Sequence, residues 1–158
     1  MKLTKAQREN LRKMYSGRCA YCGCELGPRW HADHVESVQR KLQYVKGKGV
    51  IATGELWRPE HDHIDNLAPA CAPCNIDKHT YALEDWRQIL GRAHDVLRRN
   101  VSRYRHALRF GMIVEKTDPV TFFFETTEGS QLREQWLALN AAQSAQASTV
   151  EKETAPVC

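Results

Sequence analysis

The residues best suited to chemistry are four cysteines and, between them, a short run of acid and histidine. Cys19-Ala-Tyr-Cys22 and Cys71-Ala-Pro-Cys74 are two C-x-x-C pairs. Two intervening residues let a tight turn aim both sulfurs at one tetrahedral ion, and two such knuckles complete a four-cysteine site. One pair alone reads equally as a redox dithiol; two pairs point to Zn2+. A site closed by four thiolates is structural, not catalytic. Cys24 and Cys158 lie outside the spacing and read as a packed thiol and a tail residue.

Inside the 48-residue gap between the pairs lies "WHADHVES", with His31, Asp33 and His34. Such a trio can provide metal ligands, a general base beside a ligand, or ordinary polar residues on a strand. In an ideal strand His31 and Asp33 share a face while His34 points the other way. Asp33 and His34 can therefore serve one site only where the strand ends or bulges. His61 and His63, in "EHDHIDN", read as solvated loop residues.

The elements that must hold these groups follow from pattern. Thr4 is placed to cap a helix running to about Ser16, with Leu11, Met14 and Tyr15 on one face and Gly17 ending it. "RCAYCGCELGPRW" is a knuckle, and "WHADHVESV" is a short strand and its exit. Residues 38–60 read as a basic, glycine-punctuated loop or hairpin. "IDNLAPACAPCN" gives a second extended piece and the second knuckle, with a helical turn from Asn75. Leu83, Trp86, Leu90, Ala93 and Leu97 predict a helix over about 82–99, and a shorter one follows over 101–110, stopping at Gly111. Asp118-Pro119 between apolar runs predicts a β-hairpin at about 112–125. Leu132, Trp136 and Leu139 mark a last helix, and the small, polar residues 145–158 read as a disordered tail. The expected organisation is a basic N-terminal helix (1–17), a zinc-bearing core (18–80), a mainly helical lobe (81–144) and that tail.

At 158 residues and a formal charge of +4, the chain does not need disulfides to fold, and its six cysteines suggest metal binding in a reducing compartment. "MKLTKAQREN" lacks the apolar run of a secretory signal, and no stretch has the ~18 apolar residues of a membrane span. The expectation is cytosolic, without a membrane partner. The charge is uneven. Residues 1–18 set six basic side chains against Glu9, and residues 87–109 set seven arginines against Asp95. Arg98, Arg99, Arg103 and Arg105 are the expected phosphate contacts, since a planar guanidinium bonds oxyanions bidentately. Solvated helix faces are the plain alternative.

In order and spacing, "CAYC", "ADHV", "DNLAPAC" and "CAPCNIDK" together resemble the HNH endonucleases in their zinc-clasped bacterial and phage form. The match spans about 19–79. "ALEDWRQIL" and "RYRHALRFG" also look like segments of phage-encoded members. The resemblance implies an α+β fold with a small ββα-metal core. It implies that Asp33 is the acidic ligand of a catalytic divalent ion and His34 the general base. Asn66 matches the middle asparagine, which holds the base-bearing loop. Asn75 stands where the family name has its last histidine, and some members carry Asn there. His79, four residues on, is the rival ligand. Lys78, one turn beyond Asn75, is placed for a phosphate or for plain exposure, and His31 for steering substrate.

The chemistry agrees. A neutral imidazole of pKa about 6.5 can activate water at physiological pH. One carboxylate and one amide oxygen form a hard, incomplete shell suited to Mg2+, with Mn2+ as an alternative. The expected function is metal-dependent hydrolysis of duplex DNA, by nicking or double-strand cleavage. Sequence specificity is expected to be low or supplied by a protein partner. Competing readings are a zinc-stabilised nucleic-acid-binding module without catalysis, and a phage interaction or inhibitor protein on the same scaffold.

Overall fold

A computed structural model of the chain describes the backbone of residues 1–153 and the side chains of residues 1–143. It is a mixed helix-and-sheet protein that divides into two compact units. The first comprises Met1–Asp33, His63–Ile76 and the described chain from Phe122; the second comprises His34–Asp62 and Asp77–Thr121.

The first unit begins with α1 (Lys5–Lys13), capped as its sequence requires. Thr4 Oγ1 accepts from the Gln7 amide at 3.2 Å, and Gln7 Oε1 accepts from the Thr4 amide at 2.9 Å. This capping box satisfies two donors that a helix start leaves open. Arg12 and Lys13 sit at the negative end of the helix dipole. Leu11, Met14 and Tyr15 are buried, and Gly17 turns the chain with a φ of +80°. Strand β1 (Trp30–His34) then pairs with β4 (Leu67–Cys71), and α2 (Ala72–Lys78) follows β4 directly. Trp30 is buried beneath the Arg8 guanidinium, 4.2 Å from the ring centre.

In the second unit, β2 (Arg40–Val45) and β3 (Gly49–Leu56) form the antiparallel hairpin allowed for over residues 38–60. Helices α3 (Leu83–Gly91), α4 (Ala93–Asn100) and α5 (Ser102–Arg109) follow. The single helix expected over 82–99 is thus two. Gly91, the poorest helix former in the run after proline, marks the break, and Arg92 leaves helical geometry at φ −91°, ψ 0°. Trp86 is buried, and Arg87 braces the chain by donating to the Val120 carbonyl at 2.5 Å.

The hairpin expected at 112–125 does not form. Residues 112–122 are irregular, and Phe123–Glu125 is a short 3-10 turn. The Phe123 and Phe124 amides donate to the carbonyls of Tyr21 and Ala20 at 2.8 and 2.9 Å. The first knuckle therefore takes the bonds that a hairpin partner would have made, and Phe122 and Phe123 bury there instead of in a lobe of their own. Helix α6 (Thr127–Glu153) also corrects the tail. Its alanine, glutamine and glutamate content favours helix, and the backbone stays helical well past residue 145. The rest of the expected tail, with Cys158, lies outside the described residues.

Candidate metal centre and acid–histidine pair

Both knuckles belong to the first unit. At the first, the Gly23 amide donates to the Cys19 carbonyl at 2.9 Å, closing the turn around the two sulfurs. Gly23 holds a φ of +73°, and a β-carbon there would lie 2.9 Å from the Phe123 ring, so both backbone and space call for glycine. The Ala20 amide donates to the Pro69 carbonyl at 2.8 Å, tying this knuckle to β4, whose last residue is Cys71. Cys74 lies in the first turn of α2.

The sulfurs of Cys19, Cys22, Cys71 and Cys74 all lie within 4.8 Å of one another, and Cys22 and Cys71 are 3.8 Å apart. A tetrahedral ion with ~2.3 Å bonds to sulfur spaces its ligands by ~3.8 Å. The four cysteines therefore fit a metal such as zinc. In this geometry the Cys19 thiol is pushed down to about 4, chiefly because Cys74 donates to it, with backbone amides assisting against burial. Cys74 is correspondingly raised. One member of the set is thus already a ready thiolate donor, and a bound cation would draw the protons from the others. Cys24 is not the packed thiol expected. It is exposed, with its sulfur 3.3 Å from that of Cys22, and its thiol is pushed up to about 12 by desolvation and neighbouring sulfur.

Strand β1 ends at His34, with Asp33 the last residue of the first unit and His34 the first of the second. Asp33 is buried, 8% exposed, and its Oδ2 accepts from the Tyr21 hydroxyl at 2.5 Å. Burial, and then the Asp33 charge, raise the Tyr21 phenol, which remains a donor throughout the physiological range. Its ring is fixed by edge contacts with Phe122 and Phe124 at 5.8 and 6.4 Å. Tyr21 therefore aims the carboxylate. Nothing in the spacing singles it out, because it fills one of the two free positions of a C-x-x-C pair.

His34, in the second unit, is about three-quarters covered and bonds through Nε2 to Asp62 Oδ1 at 2.8 Å. An ionised carboxylate only accepts, so Nε2 carries the hydrogen and Nδ1 is left as the basic nitrogen. No feature of the sequence separates Asp62 from the other acids of its loop. His61 in that loop is likewise not simply solvated: its Nδ1 lies 3.2 Å from the Ser37 carbonyl and its Nε2 3.2 Å from Glu36.

Lys78 corrects both of its readings. It is fully buried, and its Nζ donates to the His34 carbonyl at 2.7 Å, so it is neither an exposed lysine nor open to a phosphate. His79 is not the helical residue expected; α2 ends at Lys78, and His79 has a left-handed φ of +48° with Nδ1 3.0 Å from Thr80 Oγ1. Asn66 is buried, 9% exposed, at the end of a 3-10 turn (Ile64–Asn66) that leads into β4. Asn75 is half-buried on α2, and its side chain makes no hydrogen bond among the described residues. His31 is exposed and likewise unbonded, so it is not a hydrogen-bonded strand partner of Asp33.

The four arginines divide. Arg98 is paired with Glu115 and lies 3.7 Å from Asp95, and Arg105 donates to the Arg98 and Arg99 carbonyls at 2.8 and 3.2 Å, closing the C-terminus of α4. Arg99 and Arg103 are exposed, with no side-chain bond among the described residues.

Comparison with known proteins gives one relevant likeness. Over 89 residues the chain is 28% identical to "SPbeta prophage-derived putative HNH endonuclease YoqL" of Bacillus subtilis (strain 168). The match covers 53% of this chain and 33% of that protein. No family model and no solved structure matches. Among the described residues, no helix is long and apolar enough to cross a membrane.

Proposed function

We propose that this chain is a metal-dependent HNH-type nuclease that hydrolyses phosphodiester bonds of duplex DNA. The observation that carries the reading is the pair Asp33–His34. Two consecutive residues at a strand end are each held by a separate side chain, Tyr21 on the acid and Asp62 on the histidine. A merely structural polar pair would not need both a fixed carboxylate and a histidine with its tautomer set. The likeness to a protein named as an HNH endonuclease agrees.

In this reading His34 Nδ1 takes the proton of an attacking water, and Asp62 stabilises the imidazolium that results. Lys78 holds the backbone of the base-bearing residue through its carbonyl. Asn66 holds the chain entering β4. Asp33 and Asn75 are the residues that would hold a divalent ion, Mg2+ or Mn2+ by their hard oxygen donors. Such an ion supplies charge neutralisation at the phosphate and the leaving oxygen. The four cysteines hold a structural zinc. Arg99 and Arg103 are the members of the arginine cluster left to meet phosphate.

The test is relaxation of supercoiled plasmid with Mg2+, Mn2+ or no added divalent ion, comparing the natural chain with His34→Ala. Removing a general base costs about 10²–10⁴ in rate. Loss on that scale, with an unchanged melting temperature, is the expected result. A natural chain that retards DNA on a gel but never cuts it, with either ion, overturns catalysis and leaves a zinc-stabilised nucleic-acid-binding module.

A further inference from the structure

We infer that the β2–β3 hairpin is a DNA-gripping ribbon that seats in the groove of a duplex. The inference rests on the nuclease reading for its choice of polyanion, and on the hairpin's own surface for everything else.

Residues 38–58 carry Arg40, Lys41, Lys46, Lys48 and Arg58 against Glu55 alone. That excess equals the whole chain's +4, so the rest of the chain is formally neutral and this short segment holds the entire net charge. Lys41 is committed, bonded to Glu55 at 2.9 Å and lying over the Trp57 ring at 5.1 Å. Arg40, Lys46, Lys48 and Arg58 make no side-chain bond or ion pair among the described residues. Gly47 and Gly49 take φ values of +83° and +75°, placing Lys46 and Lys48 in a tight turn at the tip.

The two faces differ. The register pairs Leu42 with Ala52 and Tyr44 with Val50, and these four residues share one face. Leu42, Tyr44 and Val50 are 64, 74 and 66% exposed. On the opposite face Lys41, Val45 and Ile51 are half-buried. The hairpin thus turns an open apolar face, with a cationic tip, to the solvent.

A two-stranded ribbon is one of the two protein elements that a major groove of ~12 Å width admits. Lysines at its tip would reach the flanking phosphates. Tyr44, Leu42 and Val50 would lie against sugar and base edges, where the thymine methyl offers apolar contact. A bare apolar face would suit another protein equally; uncommitted cations around it select a polyanion.

The experiment measures binding of a fluorescent 20-base-pair duplex to the full chain without added divalent ion, across a salt series. For Lys46→Ala/Lys48→Ala the slope of log affinity against log salt should fall by about 2, roughly 0.9 for each phosphate no longer neutralised. Tyr44→Ala should weaken binding roughly five- to tenfold at every salt concentration and leave the slope alone. An unchanged slope overturns the inference. So does loss of binding to phosphatidylserine vesicles, or of self-association in sedimentation, with DNA affinity intact. Because no catalysis is read, a natural chain that never cuts plasmid removes the nuclease reading, while a lowered salt slope in Lys46→Ala/Lys48→Ala still places the hairpin on DNA. Conversely, if the natural chain and both hairpin variants cleave bis-p-nitrophenyl phosphate alike while the slope is unchanged, the hairpin inference alone falls.

Discussion

The chain's two units keep their charged and polar groups in opposite ways. In the first, several side chains that could do chemistry are enclosed: Cys19, Tyr21, Asp33 and Asn66 are buried, as are Leu11, Trp30, Leu67 and Phe122, although Cys22 stays exposed. In the second, Trp86 and Lys78 are the fully covered large side chains among the described residues, and β2, β3, α4 and α5 bury nothing completely. Enclosed polar groups are held in one geometry because each needs a partner once water is removed. Exposed ones keep their freedom and interact with whatever arrives. The first arrangement suits a site that must pre-position its groups; the second, apart from His34 with its partners Asp62 and Lys78, suits an electrostatic surface.

The strongest way to test that contrast is to disable the four-cysteine centre proposed to hold zinc. Zinc binding supplies about 10–16 kcal/mol in small zinc domains, as much as the whole stability of an ordinary domain. Cys74→Ser should therefore lose about one equivalent of bound zinc and abolish activity. Read by hydrogen exchange, amides of 19–26 and 67–71 should lose protection, while the β2–β3 amides change little. Uniform loss over both units would show that the second depends on the first, and the contrast would fail.

Next in size is Tyr21→Phe. The ring contacts with Phe122 and Phe124 survive, and only the hydroxyl bonded to Asp33 goes. Groups that orient a metal-binding carboxylate are worth 10–100-fold in metal affinity or activity. A loss of that order, partly recovered at raised Mg2+ or Mn2+, is expected in plasmid cleavage. Full activity would remove Tyr21 from the site. Lys78→Met should cost about 1–3 kcal/mol in chemical denaturation, because the His34 carbonyl loses a buried donor. The same variant should cut more slowly. A change in neither would mean that water replaces the ammonium.

What could be read in advance follows the same division. The cysteine pairs and the Thr4 cap are local codes, in which spacing alone fixes geometry, and each appears where the sequence puts it. Tyr21, Asp62 and Lys78 matter through partners 12, 28 and 44 residues away, and no local pattern marks them. Phe122–Phe124 has the apolar run of a strand, yet its partner is the first knuckle, about a hundred residues upstream. The arginine cluster is legible as charge but not as pairing. Glu115, 17 residues from Arg98, neutralises a side chain that composition counts as free.

That ion pair sets the smallest expected effect, and a check on how exposed charge behaves in the second unit. Hydrogen bonding from Arg98 first, with Tyr104 assisting against desolvation, holds the Glu115 carboxyl below its ordinary range. A carboxylate whose folded value is depressed stabilises above its unfolded pKa, and that contribution disappears as pH falls through the folded one. The Arg98 side of the pair is open to solvent, so the effect is small and screened by salt. Glu115→Gln should therefore be slightly less stable than the natural chain at neutral pH, the difference disappearing as pH falls through the lowered Glu115 value and shrinking in ~1 M salt. The same substitution releases Arg98. If the arginines of α4 and α5 meet DNA, duplex affinity at low salt should rise, not fall. A fall would show that the Arg98–Glu115 pair shapes the surface that DNA contacts, and that part of the second unit would then be pre-positioned as the first is.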